Sequence, residues 1–254
     1  TGREIPALFQ KMRIDMQKYI TDCCFAGLKV SVFHNYANLT KFLSDYLITC
    51  PTDIEIDITT GDIDYEKEKS DAIYPDYYLE SLAFLRKFCS RAADYGIVLF
   101  HSCAVVCDEK AYLFTAPSGT GKSTHADLWC KLLGKKVKIL NGDKPFIKFM
   151  GDIPYAYGSP FDGKEHLSYN GSAEIAGICF LHQSRDNSIE MVTSSEAFRW
   201  AYPQTLKPEG TAQCKKAVET IIRLINKVPL YSLGCNISTE AARLSYETMT
   251  GEKI

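Results

Sequence analysis

Apolar and polar positions alternate from Leu28 to Phe33 and again over Ile54-Glu-Ile-Asp-Ile58. This period of two sends every second side chain to a core and predicts two half-buried strands. Between them Leu39, Phe42 and Leu43, continued by Tyr46 and Leu47, recur at helical spacing and predict a short helix over 39–47. The acidic stretch from Gly61 to Pro75 has no apolar period and reads as an exposed, turn-rich connection. Residues 1–12 carry no pattern and are assigned no element; an extended or appended lead-in fits them. Together these features predict a small α+β unit over residues 1–76.

A larger unit is expected over 77–254. From Tyr77 to Tyr95, Leu79, Leu82, Leu85 and Phe88, with Ala83 and Ala92, form the broad apolar face of a long helix that Gly96 ends. Apolar runs at 97–107 and 111–114 flank the polar turn Asp108-Glu109-Lys110 and predict a hairpin. Ser123 to Leu133 presents Ala126, Trp129 and Leu133 on one helical face, and Val137 to Leu140 is a short strand. Glu174 to Leu181 reads as a buried strand with Ile189-Glu-Met-Val192 as its expected partner. A helix capped by Ser194 or Ser195 is expected to stop at Ala201, before Pro203, and a second runs from Ala212 to Ile225. Pro229 to Leu233 is a final strand, and Ser238 caps a last helix reaching Met249.

Composition narrows the function. The chain of 254 residues is 46% hydrophobic, enough for a sizeable core. Its 29 basic and 31 acidic residues leave a charge of −2, no field to gather nucleic acid or an anionic membrane, so any anion must be held by a local site. Aromatic residues are not interleaved with a basic stripe, which argues against single-stranded nucleic acid. No apolar run approaches the roughly 20 residues of a membrane span. The ten cysteines are scattered, and Cys23-Cys24 and Cys103-x3-Cys107 lack zinc-knuckle spacing. With no basic-then-apolar leader, they read as reduced thiols of a soluble cytoplasmic protein.

The chemistry concentrates at Ala116-Pro-Ser-Gly-Thr-Gly-Lys-Ser123, which fits the phosphate-loop pattern except for Ala116 in place of its leading glycine. A strand precedes it and a helix follows, the geometry such a loop needs. Gly119 and Gly121 let backbone N–H groups approach phosphate oxygens, and the new helix adds unpaired donors and its positive dipole end. Ser118 to Thr124 would cradle the nucleotide, with Lys122 a mobile charge for the β- and γ-phosphates and Ser123 a hydroxyl for magnesium. The strand at 137–140 runs into Asn141-Gly142-Asp143, and Asp143 is the carboxylate expected to hold the metal, though Asn-Gly-Asp is also good turn chemistry. Asp162 and Lys164, in a turn with Pro160 and Gly163, are further candidates and equally an ordinary polar turn. His101 could serve as an acid or base near neutrality, or be a plain hydrogen-bonded residue.

The run Ser118 to Thr124, preceded by a hairpin bearing His101 and followed by Asp143 after a strand, resembles the catalytic domain of HPr kinase/phosphorylase. More distantly it resembles the nucleotide loop of ATP-dependent phosphoenolpyruvate carboxykinase. The likeness is clear over roughly residues 97–180. It is strongest to the uncharacterised HPr kinase-related branch, which carries segments like Tyr157-Gly-Ser-Pro-Phe-Asp-Gly-Lys164 and Pro229-Leu-Tyr-Ser-Leu-Gly-Cys235. The resemblance implies a mixed α+β fold, a largely antiparallel mixed sheet with flanking helices. It implies that Lys122 contacts phosphate, that Ser123 and Asp143 bind magnesium, and that His101 lies beside the reacting phosphoryl group. It implies an ATP-dependent kinase acting on a hydroxyl, serine or threonine of a protein or peptide or a small metabolite, and a homo-oligomer by analogy.

The chain departs from that family in two places. Gly142 stands where HPr kinases carry the first of two aspartates, and Thr124-His125 follow the loop's serine where glutamate is common. One carboxylate is therefore missing, and the acceptor's base must come from elsewhere or catalysis be weak. Restoring Gly142→Asp is expected to raise activity if only that base is lacking. The alternative from another class is a nucleotide sensor that transfers nothing. A carboxykinase is a poor third, since the chain is much shorter than that family and shows no histidine-plus-lysine metal set.

Overall fold

The computed structural model describes residues 18–254; residues 1–17, and with them the unassigned 1–12, lie outside that range. The chain folds around two sheets. Strands β1 (Tyr19–Phe25), β2 (Leu28–His34) and β3 (Ile54–Asp57) form the smaller one, with β1 antiparallel and β3 parallel to β2. β1 was not legible from spacing, yet Thr21, Cys23 and Phe25 point inward. Helix α1 (Ala37–Phe42) and a 3-10 turn (Ser44–Tyr46) replace the single helix expected over 39–47. The expected connection at 61–75 is largely a helix, α2 (Thr60–Lys69). Its start is fixed by a capping box, in which Thr59 accepts from the Asp62 N–H and the Asp62 carboxylate accepts from the Thr59 N–H. Only Ile63 of α2 is buried, so the helix has no apolar stripe to read.

Helix α3 (Asp76–Ala92) forms as its apolar spacing predicts and ends through a 3-10 turn at Gly96, which takes φ +69°. Its buried face, with Phe84 and Phe88, packs on the small sheet, on β4 (Ile97–Leu99) and on Phe146 and Phe161. The expected strand at 97–107 is divided. β4 pairs with β8 (Phe146–Met150), whereas β5 (Cys103–Cys107) makes the hairpin with β6 (Lys110–Thr115).

The larger sheet runs β4-β8-β9-β10-β6-β5-β7, where β7 is Val137–Asn141, β9 is Ile153–Tyr157 and β10 is Ser172–Gln183. β10 is long enough to pair with β9 through its first residues and, farther along, with β12 (Leu230–Cys235). The sheet is mixed, since β10 runs parallel to β6 and β12 and the other pairs are antiparallel. β11 (Ser188–Met191) pairs with β12 and not with β10, because β12 takes the place beside β10 that adjacency in sequence suggested for β11. The fold is thus mixed α+β, with a mixed sheet flanked by helices.

Alternation along each strand builds the two faces. Ala104, Leu113, Ile178 and Phe180 face helices α5 (Ser194–Gln204) and α6 (Thr211–Ile225). Val105, Phe114, Cys179 and Leu181 face α4 (Lys122–Leu133) and α7 (Thr239–Thr250). α5 is capped by Thr193, in a box with Glu196, and continues past its expected stop through Pro203 to Gln204. Pro203 lies in the last turn, where its missing N–H removes one bond and does not break the helix.

α4 and α7 meet at a buried polar contact. The Ser245 hydroxyl accepts from Trp129 Nε1 at 2.8 Å and lies 2.8 Å from His125 Nε2. His125 Nδ1 has no partner among the described residues, and burial pulls the ring's pKa down to about 4. Burial also lowers that of His34, against the pull of Glu80. The His125 ring stays neutral in the fold down to about pH 4, while in an unfolded chain it takes up a proton at about pH 6.5. The His125 contribution is complete above about pH 6.5 and lost as pH falls toward 4, about 2–3 kcal/mol. Urea midpoints measured from pH 7 to 4.5 should fall accordingly, and His125→Gln should flatten the slope. A wild-type midpoint constant across that range would contradict this account.

Candidate functional site

β6 ends at Thr115, residues 116–121 form the loop, and α4 starts at Lys122, so the expected strand, loop and helix are present in order. Gly119 takes φ +80° and Gly121 φ +117°, conformations that L side chains avoid. No protein atom lies within 4 Å of where a Cβ would stand at either glycine, so the loop presents backbone to open space. Pro117, Ser118 and Gly119 are exposed, Thr120 and Ser123 are half-buried, and Thr124 is exposed. Lys122 is buried and donates to the Ala116 carbonyl at 3.0 Å, which folds its side chain back over the loop. Burial lowers its pKa, and the Asp143 charge works against that.

Asp143 follows the end of β7 by two residues, and His101 lies in the β4–β5 connection, where its carbonyl accepts from the Thr115 hydroxyl at the end of β6 at 2.8 Å. His101 Nε2 lies 3.0 Å from Asp143 Oδ1, both side chains about a quarter exposed or less (25% and 21%). Lys144 Nζ caps the other carboxylate oxygen. Burial pushes the Asp143 carboxyl up, but the bonds from His101 and Lys144 outweigh it and hold its pKa at about 2. The backbone here is fixed as well. Buried Asn141 accepts from the N–H groups of Asp143 and Lys144 through Oδ1, at 2.9 and 2.6 Å, and donates through Nδ2 to the Ser159 carbonyl. The Ser102 N–H donates to the Asp143 carbonyl at 3.0 Å, tying the two halves of the site together.

Two contributors have no signal in the motif. Lys144 is one. The other is Gln204, whose carbonyl accepts from the His101 N–H at 2.8 Å and whose Oε1 lies 2.8 Å from His101 Nδ1. Gln204 Oε1 on Nδ1 and Asp143 Oδ1 on Nε2 hold the His101 ring in one orientation. Gln204 is 103 residues away in sequence, and only the extension of α5 past Pro203 delivers it.

Residues 158–171 form a flap over the end of β7. Tyr169 N–H donates to the Leu140 carbonyl, and Gly142 N–H to that of Leu167 at 2.9 Å. A Cβ on Gly163 would stand 3.2 Å from that of Asp143. Phe161 anchors the flap in the core of the small sheet, against Phe42 at 5.3 Å. Asp162 turns into the flap, where its carboxylate accepts from Ser168 at 2.8 Å and lies 3.3 Å from His166 Nδ1. Lys164 is exposed and forms no ion pair among the described residues. The structure therefore brings His101, Lys122, Lys144 and Asp143 together and leaves the Asp162 and Lys164 side chains outside that group.

A nucleotide with magnesium fits this donor set. One anionic carboxylate and one half-buried hydroxyl are too few for a cation held by protein alone, and no cluster of three or more His, Cys, Asp or Glu suited to a metal occurs among the described residues. A carboxylate and a hydroxyl are ligand types that suit a hard cation completed by phosphate oxygens and water. The surrounding Lys122 and Lys144 supply positive charge for a polyphosphate, and His101 adds a ring nitrogen beside them.

No helix among the described residues is long and apolar enough to cross a membrane. No protein-family profile matches the chain, and no curated protein does. Among solved structures it has a weak likeness to the HPr(Ser) kinase/phosphatase from Coxiella burnetii, at 13% identity and a TM-score of 0.35, covering 60% of this chain and 88% of that one.

Proposed function

We propose that this chain is a magnesium-dependent phosphotransferase that moves the γ-phosphoryl group of ATP to a hydroxyl, serine or threonine of a protein or peptide. The observation that carries this reading is the convergence of Lys122, His101 and Asp143 on a glycine loop at a strand–helix junction. In it, backbone N–H groups of 118–124 hold the phosphates, and Lys122 leaves the Ala116 carbonyl for the β- and γ-oxygens. Ser123 and Asp143 would hold magnesium, which supplies neutralisation of the phosphate charge. His101, oriented by Gln204, donates to a phosphoryl oxygen as charge develops there. The acceptor oxygen bonds to the γ-phosphorus, the bond to the β–γ bridging oxygen breaks, ADP departs, and the hydroxyl proton passes to a phosphoryl oxygen. Residues 77–254 constitute the catalytic unit, and the unit within 1–76 braces the flap through Phe161.

One observation favours the sensor reading: Asp143 is already engaged by His101 and Lys144, and Gly142 stands beside it where a second carboxylate was expected. Calorimetry of ATP and ADP with and without magnesium, followed by transfer from labelled ATP to serine and threonine peptides, separates the two. Magnesium-dependent binding with transfer is expected. Binding without transfer to any acceptor would favour the sensor, and absence of binding would end both.

A further inference from the structure

A cavity of about 600 Å3 opens on the α5 face of the large sheet, at the C-terminal ends of β6, β10 and β12. It touches the loop only at Ala116 and Pro117, ahead of the segment 118–124 that would carry phosphate. Its volume is in the range that holds a ligand group. The inner wall is apolar, built from Phe180, Val192, Trp200 and Pro203. Trp200 is 41% exposed, with its ring centroid 5.3 Å from that of Phe180, so a large aromatic surface is left open to solvent inside a concave site.

Three features decide the occupant. Gln204 is both a wall of the cavity and the residue that orients His101, so the cavity adjoins the reacting end of the site. Among its lining residues Glu190 and Glu196 outnumber the charge of Arg199, which disfavours phosphate and favours a cationic flank. Pro203 has no N–H to donate to the carbonyl of Arg199 one turn earlier, and both residues line the cavity, which suits a ligand with a backbone N–H to offer.

We infer that this cavity is the acceptor site, binding a peptide segment in which a large apolar side chain, flanked by a basic residue, lies next to the serine or threonine that receives the phosphoryl group. The inference rests on the phosphotransfer reading. The apolar side chain packs on Trp200 and Phe180, and the hydroxyl reaches past Gln204 toward His101. Transfer then proceeds as above: the acceptor oxygen gains the γ-phosphorus, ADP leaves with the bridging oxygen, and the hydroxyl proton moves to a phosphoryl oxygen.

The chain contains two tryptophans, and Trp129 is fully buried, so a ligand-induced change in emission that disappears in Trp200→Phe reports on the cavity. The probe is a pool of serine and threonine peptides varied at the three positions on either side of the hydroxyl, added to full-length protein with the nonhydrolysable ATP analogue and magnesium. Peptides with an aromatic or large aliphatic residue beside the hydroxyl and a basic residue within three positions are expected to shift the emission, whereas the nucleotide alone leaves it unchanged. In transfer assays Trp200→Ala should raise KM for those peptides about tenfold or more, consistent with loss of an aromatic anchor, while kcat and ATP affinity change less than about threefold. Glu190→Lys, a charge reversal on an exposed residue, should remove the preference for the basic flank with the melting temperature unchanged. An emission change caused by ATP itself, or ATP affinity lost in Trp200→Ala, would assign the cavity to the nucleotide and overturn the inference. So would ATP binding with no response to any peptide. Failure to bind ATP at all overturns the phosphotransfer reading instead.

Discussion

Lys122→Ala is expected to weaken magnesium-ATP binding by about 100-fold or more and to bring transfer below detection, while the fold melts within a few degrees of wild type. The side chain is buried, and among the described residues its one hydrogen bond is to the Ala116 carbonyl, within the loop itself. Removing it costs the fold one loop contact and relieves the desolvation that lowers the ammonium's pKa. The same change leaves the phosphates without the only ammonium that the loop places among its own backbone donors. Charge-assisted bonds to phosphate in a partly dry site are stronger than neutral ones, so the loss falls on the ligand and spares stability. Lys122→Arg should not rescue binding, since the planar guanidinium cannot fold back into the space the ammonium occupies. Calorimetry and a thermal melt on the same samples check both halves. Undiminished ATP affinity in Lys122→Ala would mean that the loop is a capped helix start and that the phosphotransfer reading is wrong.

The parts of this site that spacing revealed are those whose chemistry is local. The glycine loop, the strand before it and the helix after it are contiguous, and each leaves its own periodic or steric mark between Lys110 and Leu133. Strands β2 and β3 alternate cleanly, and α3, α6 and α7 carry apolar stripes. The elements without a periodic mark are held largely by partners distant in sequence. α2 is stabilised by its capping box and by Arg86 and Lys87 on Asp62, and the bond from Arg86 to Glu66 at 2.6 Å completes the set, so its polar face has no apolar period. β11 pairs with β12 because β12 arrives last and takes the edge of β10. Gln204 reaches His101 only because α5 tolerates Pro203 in its final turn. Apart from the Thr59–Asp62 capping box, the contacts named here join residues at least 20 positions apart.

Gly142 shows the same limit from the other side, and there a substitution suggested by resemblance is expected to fail. Gly142→Asp should destabilise the protein by about 2–4 kcal/mol and should lower transfer where the resemblance alone would have it rise. A Cβ at this position would meet the Asp162 carbonyl at 2.9 Å and the Leu167 carbonyl at 3.5 Å, both of them backbone atoms of the flap that cannot turn aside as a side chain would. The flap is fixed in turn by Phe161 in the small sheet's core and by the bond from Gly142 N–H to Leu167, so relief requires lifting it off β7. Lifting it exposes Asp143 and places a second carboxylate beside one already held at a pKa of about 2 by His101 and Lys144. Like charges so close raise the proton affinity of one of them and compete for the same cations. The missing carboxylate is thus excluded by the architecture as well as absent from the sequence. Gly142→Ala separates the two causes, because it carries the clash without the charge and should lose most of the same stability. Urea denaturation of both variants with ATP binding on each provides the check, and a Gly142→Asp protein of wild-type stability with faster transfer would show that the flap yields freely and that the resemblance was the better guide.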